Sequence, residues 1–289
     1  MVLESIINPL KAEKTPWEMF FVGILYSSVA ILFSLWIFRQ YSSLIMVFLT
    51  VTVSVPLMYS TMKLEERKDL DGKSEKALLK EHWKAIDFLL YLFFGFLVSF
   101  TIWYIVLPPD LVQTMFSTQI ETISSINSRI TGMEITDMTS LFLSDAFRNI
   151  LFNNIKVLIF CILFAFFYGA GAIFILTWNA SVISAAVGTF IRNGLAEYAS
   201  VIGWKSAFIY LNLFTLGIFR YMTHGIFEIA AYFIGGLAGA IVSFGIINHD
   251  FRTKRFKYVM FDALSLLIIA VVILFIAALI EVFITPALF

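Results

Sequence analysis

Three residues in the apolar second half of the chain have charged or titratable side chains that could form a binding site: Arg220, His224 and Glu228. They are four residues apart, so on a helix they fall on one stripe, where neighbours at this spacing meet. A guanidinium, a titratable imidazole and a carboxylate can together bind an ion or a solute. Burying such groups in lipid costs on the order of several kcal/mol each, so in a membrane this stripe is a hypothesis for a functional site.

The composition indicates a polytopic membrane protein. The chain is 60% hydrophobic and 14% charged, with 32 Phe in 289 residues, whereas soluble domains carry about 25% charged residues. Several apolar runs exceed the roughly 18 residues that cross a bilayer. The net charge is zero and no basic aromatic patch is present, so we expect no nucleic-acid partner. The first apolar run begins at Trp17 and ends in Arg39 rather than in small residues, which is not typical of a cleavable signal.

The hydropathy pattern predicts an all-α bundle of seven transmembrane spans. The uncharged stretch around the stripe is too long for one crossing, since forty-odd helical residues measure about 60 Å against about 30 Å of hydrocarbon. We therefore predict a turn at residues 223–225, where Gly225 supplies a permissive backbone. The predicted spans are residues 17–38, 42–58, 88–107, 155–178, 207–221, 226–247 and 259–284.

The distribution of Lys and Arg orients these spans. Seven basic residues lie between the second and third spans and four between the sixth and seventh. Segment 108–147, by contrast, has Arg129 as its one basic residue against five acidic residues. Because short basic loops stay in the cytoplasm, we expect a multi-pass protein of the plasma membrane with a cytoplasmic N-terminus and an outward-facing acidic segment.

The chain divides into three parts. Residues 1–58 form a two-span hairpin, residues 59–87 a connector with alternating acidic and basic side chains, and residues 88–289 a five-span domain. The connector is expected to be a solvated helix on the cytoplasmic side, and a docking site for a soluble partner is the alternative.

Two segments within residues 88–289 do not have the sequence pattern of simple transmembrane spans. In segment 108–147, apolar residues at steps of three or four predict amphipathic helices that lie on the outer membrane face or pack on a partner, with Asp110 as the first N-cap. Residues 179–203, which include Arg192 and Glu197, are too polar for a full span and too apolar for a loop. We expect a re-entrant hairpin covered by protein there, with an eighth span as the alternative.

The predicted topology brings polar residues from several helices to the outer ends of their spans. Charged residues in lipid are expected to pair with one another, so we predict an outward-facing network with His224 as its titratable member. Three roles stay open for it: holding the bundle in register, binding a solute or ion, and forming a partner interface. The predicted members are Asn154, Lys156, Arg220, His224, Glu228 and Glu281.

Other sequence features indicate packing rather than catalysis. Gly235 and Gly239 form a GxxxG pattern that lets another helix approach closely, either in the same chain or in a second copy. The lone Cys161 lies in an apolar run, as a packing residue does. The three histidines form no HExxH, and the chain has no GxSxG elbow and no phosphate-binding loop. We therefore expect no catalytic residue, no cofactor and no metal.

Several short motifs in residues 150–289 are similar to those of one known family. They are the run Asn153-Asn154-Ile155-Lys156, the pair Gly169 and Gly171, Asn179, the run His224-Gly225-Ile226-Phe227-Glu228, and the final run from Glu281 to Pro286. On these motifs the chain resembles the SpoIIM-like family of prokaryotic membrane proteins, named for stage II sporulation protein M. It departs from the family pattern at Ala180, where glycine is usual, and at Met222-Thr223, where a proline is common.

The resemblance implies a scaffold rather than an enzyme. The sporulation member looks like a scaffold that anchors cell-wall hydrolases, and no family catalytic residue can be carried over to this chain. Asn154, His224, Glu228 and Glu281 match motif positions as structural residues. We expect a membrane protein in contact with lipids that organises or anchors partners, as a homo-oligomer or with another membrane protein. A transporter or permease subunit that uses the polar network is the alternative.

Overall fold

The computed structural model describes residues 9–70, 75–130, 145–165, 170–197, 204–248 and 253–288. All regular elements in these ranges are helical, and seven helices are long and apolar enough to cross a membrane. The predicted all-α fold and the number of spans are therefore confirmed. The helices are α1 (Pro9–Lys14), α2 (Glu18–Ile37), α3 (Ser42–Leu70), α4 (Glu75–Val106), α5 (Pro109–Met115), α6 (Ser117–Ile130), α7 (Asp145–Ala165), α8 (Ala170–Glu197), α9 (Trp204–Asn248), α10 (Lys254–Leu279) and α11 (Thr285–Leu288).

The span predicted at residues 155–178 is wrong, because the structure divides it between α7 and α8. The re-entrant hairpin predicted at residues 179–203 is also wrong over its described part, since residues 179–197 continue α8 as a regular helix. This segment looked too polar for a span because of its small residues and of Arg192 and Glu197. The small side chains let α8 pack at the centre of the bundle, where 67% of the residues in an apolar 18-residue stretch of the helix are buried. Residues 198–203 lie outside the described ranges.

The turn predicted at residues 223–225 is wrong too, because α9 runs unbroken for 45 residues, which is about 67 Å. The spans predicted at 207–221 and 226–247 are therefore one helix. The length argument failed because a helix is free to extend beyond the hydrocarbon or to cross it obliquely. One division and one fusion cancel, which is why the count of seven survives.

The spans alternate in direction, and we call the side on which α2 begins the near side and the opposite one the far side. α2 and α4 run in parallel, with Gly23 against Gly95 and Ser28 bonded to Ser99. α3 runs in the opposite direction to both, since Ser43 near its start bonds Gln119 beyond the end of α4. By the same reasoning α8 and α10 begin on the near side, and α7 and α9 begin on the far side.

Aromatic side chains fill the core around α4. Phe88, Phe93, Phe96 and Phe100 of this helix are all less than 2% exposed. α8 packs along the same helix, where Ser184 Oγ donates to the Leu97 carbonyl oxygen at 2.8 Å. Large apolar residues on α2 and α10 are exposed instead, as expected for helices that face lipid.

The segment after α4 packs on the chain itself. Pro108 has an extended backbone (φ −55°, ψ 151°) and is the N-cap residue of α5, so the prediction that Asp110 caps this helix is wrong. Met115, Phe116 and Gln119 are fully buried, and Gln119 Nε2 donates to the hydroxyl of Ser181 in α8 at 3.2 Å. The apolar face of α5 and α6 therefore covers the far side of the bundle. Residues 131–144 of the predicted outer segment 108–147 lie outside the described ranges.

Candidate functional site

The centre of the candidate site is a hydrogen-bonded group that joins α7 to α9. Asn154 Nδ2 donates to Glu228 Oε1 at 2.5 Å, and the Tyr232 hydroxyl donates to Asn154 Oδ1 at 3.0 Å. Asn154 is 5% and Tyr232 2% exposed. Glu228 and Tyr232 are four residues apart on α9, so they present both groups to the same amide across the helix contact.

Glu281 and His224 lie beside this group, at the end of α10. The carboxyl groups of Glu281 and Glu228 interact electrostatically. His224 Nδ1 lies 3.2 Å from Thr285 Oγ1, which bonds the Ile280 carbonyl oxygen at 3.3 Å. Residues Ile280–Ile284 form a π-helical turn, an irregularity often found at functional sites. This turn brings Glu281 and Thr285 against α9 together.

The structure places Lys156 and Arg220 apart from these residues. Both side chains are exposed, and no salt bridge within the described part of the chain links either of them to Glu228 or Glu281. The four members that the structure brings together are Asn154, His224, Glu228 and Glu281, and Tyr232, which the sequence did not single out, joins them.

The glycine pattern on α9 faces α7 of the same chain. A Cβ added at Gly239 would lie 2.7 Å from the Ile162 carbonyl oxygen and 2.9 Å from the Ala165 Cβ. At Gly235 an added Cβ would overlap the Leu158 side chain. These glycines therefore set the close approach of α7 and α9, which allows Asn154 to reach Glu228.

A second buried polar cluster, on the near side, was not predicted from the sequence. His82 Nδ1 lies 2.7 Å from Glu65 Oε2, and His82 Nε2 lies 3.2 Å from Asp262 Oδ2. The three residues come from α4, α3 and α10. They are separated by 17 and 180 positions along the chain, so no local spacing relates them.

Arg192 is one of the two charged residues that made α8 look too polar for a span. Its side chain binds backbone groups of the same chain. Its guanidinium Nη2 donates to the carbonyl oxygens of Ile105 (3.2 Å) and Leu107, at the end of α4. The same group lies 5.6 Å from the centre of the Tyr104 ring. A cation at a helix C-terminus is favoured by the helix dipole and by the unpaired carbonyl groups. Arg192 therefore fixes the end of α4 against α8.

Replacing Arg192 by methionine should lower the free energy of unfolding by about 2 kcal/mol, because two charge-assisted hydrogen bonds to backbone carbonyls are lost. The measurement is equilibrium unfolding of the purified protein in lipid nanodiscs. Arg220→Met is the matched control, since this exposed side chain should change stability by less than about 0.5 kcal/mol. Equal effects of the two substitutions would contradict this role of Arg192.

The geometry of the α7–α9–α10 site holds a carboxyl group in place. Asn154 orients the Glu228 carboxylate, and Tyr232 orients the Asn154 amide in turn. Among the described residues, no group of three or more His, Cys, Asp or Glu side chains is arranged to hold a metal ion. The chemistry available to the site is therefore that of two interacting carboxyl groups and one imidazole, which exchange protons or attract a cation.

The sequence profile described as SpoIIM, stage II sporulation protein M, matches residues 88–286. No curated protein and no solved structure is significantly similar to the chain. The matched residues include Asn154, His224, Glu228 and Glu281, so the whole candidate site lies inside the family region, whereas α1–α3 precede it. Since the match covers well over half of the chain, the protein belongs to the stage II sporulation protein M family.

Proposed function

We propose that the protein is a non-catalytic membrane scaffold that holds partner proteins at the plasma membrane. The observation that carries the proposal is that buried polar side chains join helices to one another. Asn154 joins α7 to α9, and His82 joins α3, α4 and α10. Buried polar networks whose members are satisfied rigidify a bundle and specify one arrangement, which is what a scaffold requires.

The surface of the bundle includes an apolar groove that suits lipid. This groove, of about 340 Å³, lies between α2 and α4 and is lined by apolar and aromatic side chains. The groove residues are Trp17, Phe20, Phe21, Tyr91, Phe94 and Val98.

The connector is the surface that we propose for a partner. α3 and α4 continue on the near side beyond their apolar stretches Arg39–Glu65 and His82–Val106. The intervening sequence alternates acidic and basic residues, which suits a charged soluble protein. With the basic segments on the cytoplasmic side, the near side and the N-terminus face the cytoplasm.

The proposal predicts that a second protein copurifies with the chain in a mild detergent, as identified by mass spectrometry. Reversing two connector charges, Lys76→Glu with Lys80→Glu, should reduce its recovery at least about tenfold, because rim charges steer association. Lys257→Glu is the matched control, since it reverses an exposed charge on the same side but outside the connector, and it should retain the partner. A clean preparation of wild-type protein without any partner would overturn the proposal.

One observation favours transport as a second candidate: Glu228 and Glu281 interact within the apolar stretches Leu211–Ser243 and Phe256–Leu288. Paired carboxyl groups at such depth are costly unless they are used or well satisfied. If wild-type protein purifies alone, which overturns the scaffold, proton flux into liposomes tests the second candidate. Flux abolished by Glu228→Gln and unchanged by Glu121→Gln, at an exposed site on α6, would establish the transporter.

A further inference from the structure

We propose that Glu65, His82 and Asp262 form a proton-binding latch on the near side, which fastens the N-terminal hairpin to the family region while it holds one extra proton. The imidazole lies between two carboxyl groups, at 2.7 Å from Glu65 Oε2 and 3.2 Å from Asp262 Oδ2. The side chains of His82, Glu65 and Asp262 are 1%, 0% and 9% exposed. Water therefore cannot replace either contact without the helices moving.

The latch requires an extra proton because its two hydrogen bonds need two hydrogens. Each ring nitrogen meets a carboxyl oxygen, and a bond between them needs a hydrogen on one of the two atoms. A neutral imidazole carries one N–H group, so with two carboxylates one ring nitrogen would face a carboxylate with lone pairs on both atoms. One further proton within the group completes both bonds.

The latch crosses the boundary of the family match. Asp262 lies within residues 88–286, and Glu65 and His82 lie before them. Glu65 is near the end of α3, which forms a hairpin with α2, and Asp262 is in α10. The latch therefore ties the part of the chain that precedes the family region to the last long helix of that region.

Other charged groups surround the latch on the elements that pack against it. Among them Lys63, Lys84 and Lys257 are exposed and Asp87 is half-buried. On the described part of α9, no acidic or basic residue follows Glu228. α1 packs against α3 and α4 and carries Lys11, Glu13 and Lys14.

The test is the pH dependence of equilibrium unfolding of the full-length protein in lipid nanodiscs between pH 5.5 and 8.5. If the folded state holds one proton more than the unfolded state, the unfolding constant rises by about tenfold per pH unit as the pH increases above the ordinary range of histidine. The other two histidines of the chain, His224 and His249, are present in every variant, so the decisive quantity is the difference between variants.

Asp262→Asn should remove this contribution without breaking the latch. The asparagine amide donates to His82 Nε2 while His82 Nδ1–H donates to Glu65, so both bonds form without an extra proton. We expect this variant to fold. The slope of its log unfolding constant against pH should be smaller than that of wild type by about one, which corresponds to one proton. Asp87→Asn, the matched control on α4, should keep the wild-type slope.

Equal slopes for wild type and Asp262→Asn would overturn the proposal. If Asp262→Asn does not fold, Glu65→Gln supplies an equivalent test, because a glutamine amide at that position also completes the second bond without the extra proton. Either variant is independent of partner binding, so the latch can fail while the scaffold function stands.

Discussion

Gly95→Ala is expected to destabilise the bundle by about 3 kcal/mol, since overpacking against an unyielding neighbour lies at the upper end of such costs. An added Cβ at Gly95 would lie 2.9 Å from the Gly23 Cα and would overlap the Phe20 carbonyl oxygen. These are backbone atoms of α2, so no side-chain rotation relieves the clash, and the two helices must separate. The free energy of unfolding in nanodiscs measures the effect.

Gly225→Ala is the matched control for this prediction. A Cβ added there would meet the flexible end of Met222 at 3.3 Å and, apart from its chain neighbours and the backbone of its own helix, no other atom of the described chain within 4 Å. Because alanine is a better helix former by about 1 kcal/mol, the variant should be neutral or slightly stabilised. A strongly destabilised Gly225→Ala would contradict the unbroken course of α9 at this position.

Asn154→Leu is expected to cost about 3 kcal/mol, because two partners lose their hydrogen bonds together. The Glu228 carboxylate would lose its amide donor and the buried Tyr232 hydroxyl its acceptor. The same unfolding measurement applies, and a loss of trypsin resistance in α7 should accompany it, since α7 is held to α9 at this point.

Asn153→Leu provides the comparison, since the neighbouring residue is exposed and should change stability by less than about 0.5 kcal/mol. Similar costs for both substitutions would show that the Asn154 contacts do not carry the α7–α9 junction.

Much of the fold could be predicted from composition and apolar periodicity. In the hydrocarbon of a bilayer, only structures that satisfy their own backbone hydrogen bonds are stable. The all-α architecture followed from this constraint, whereas the count of seven spans was right because one division and one fusion cancelled. The limits of individual helices did not follow from this constraint, because small residues are ambiguous in hydropathy. The segment that begins at Asn179 is polar by its hydropathy alone. In the fold it is nevertheless buried, because neighbouring residues bind its polar groups.

The candidate site was predicted from spacing along one helix and from the level that polar residues of several spans share. Tyr232 was missed, although it lies four residues after Glu228 on the same helix. Glu228 and His224 were found from their spacing. Arg220 was included for the same reason, but steps of four residues advance by about 40° each, so the stripe drifts by about 80° between Arg220 and Glu228. Arg220 consequently turns outward. The cluster of Glu65, His82 and Asp262 depends on tertiary contacts between distant segments, which spacing does not encode.

The length of α9 has a consequence for the surrounding lipid. Its apolar stretch Leu211–Ser243 spans 33 residues, about 50 Å of helix, beside hydrocarbon of about 30 Å. Such hydrophobic mismatch is relieved by helix tilt or by local thickening of the bilayer, each at a modest cost per ångström. The exposed Leu211 and Phe219 lie on the part of α9 that extends toward the far side, where this cost concentrates. The protein should therefore partition into thicker, long-chain bilayers in preference to thin ones.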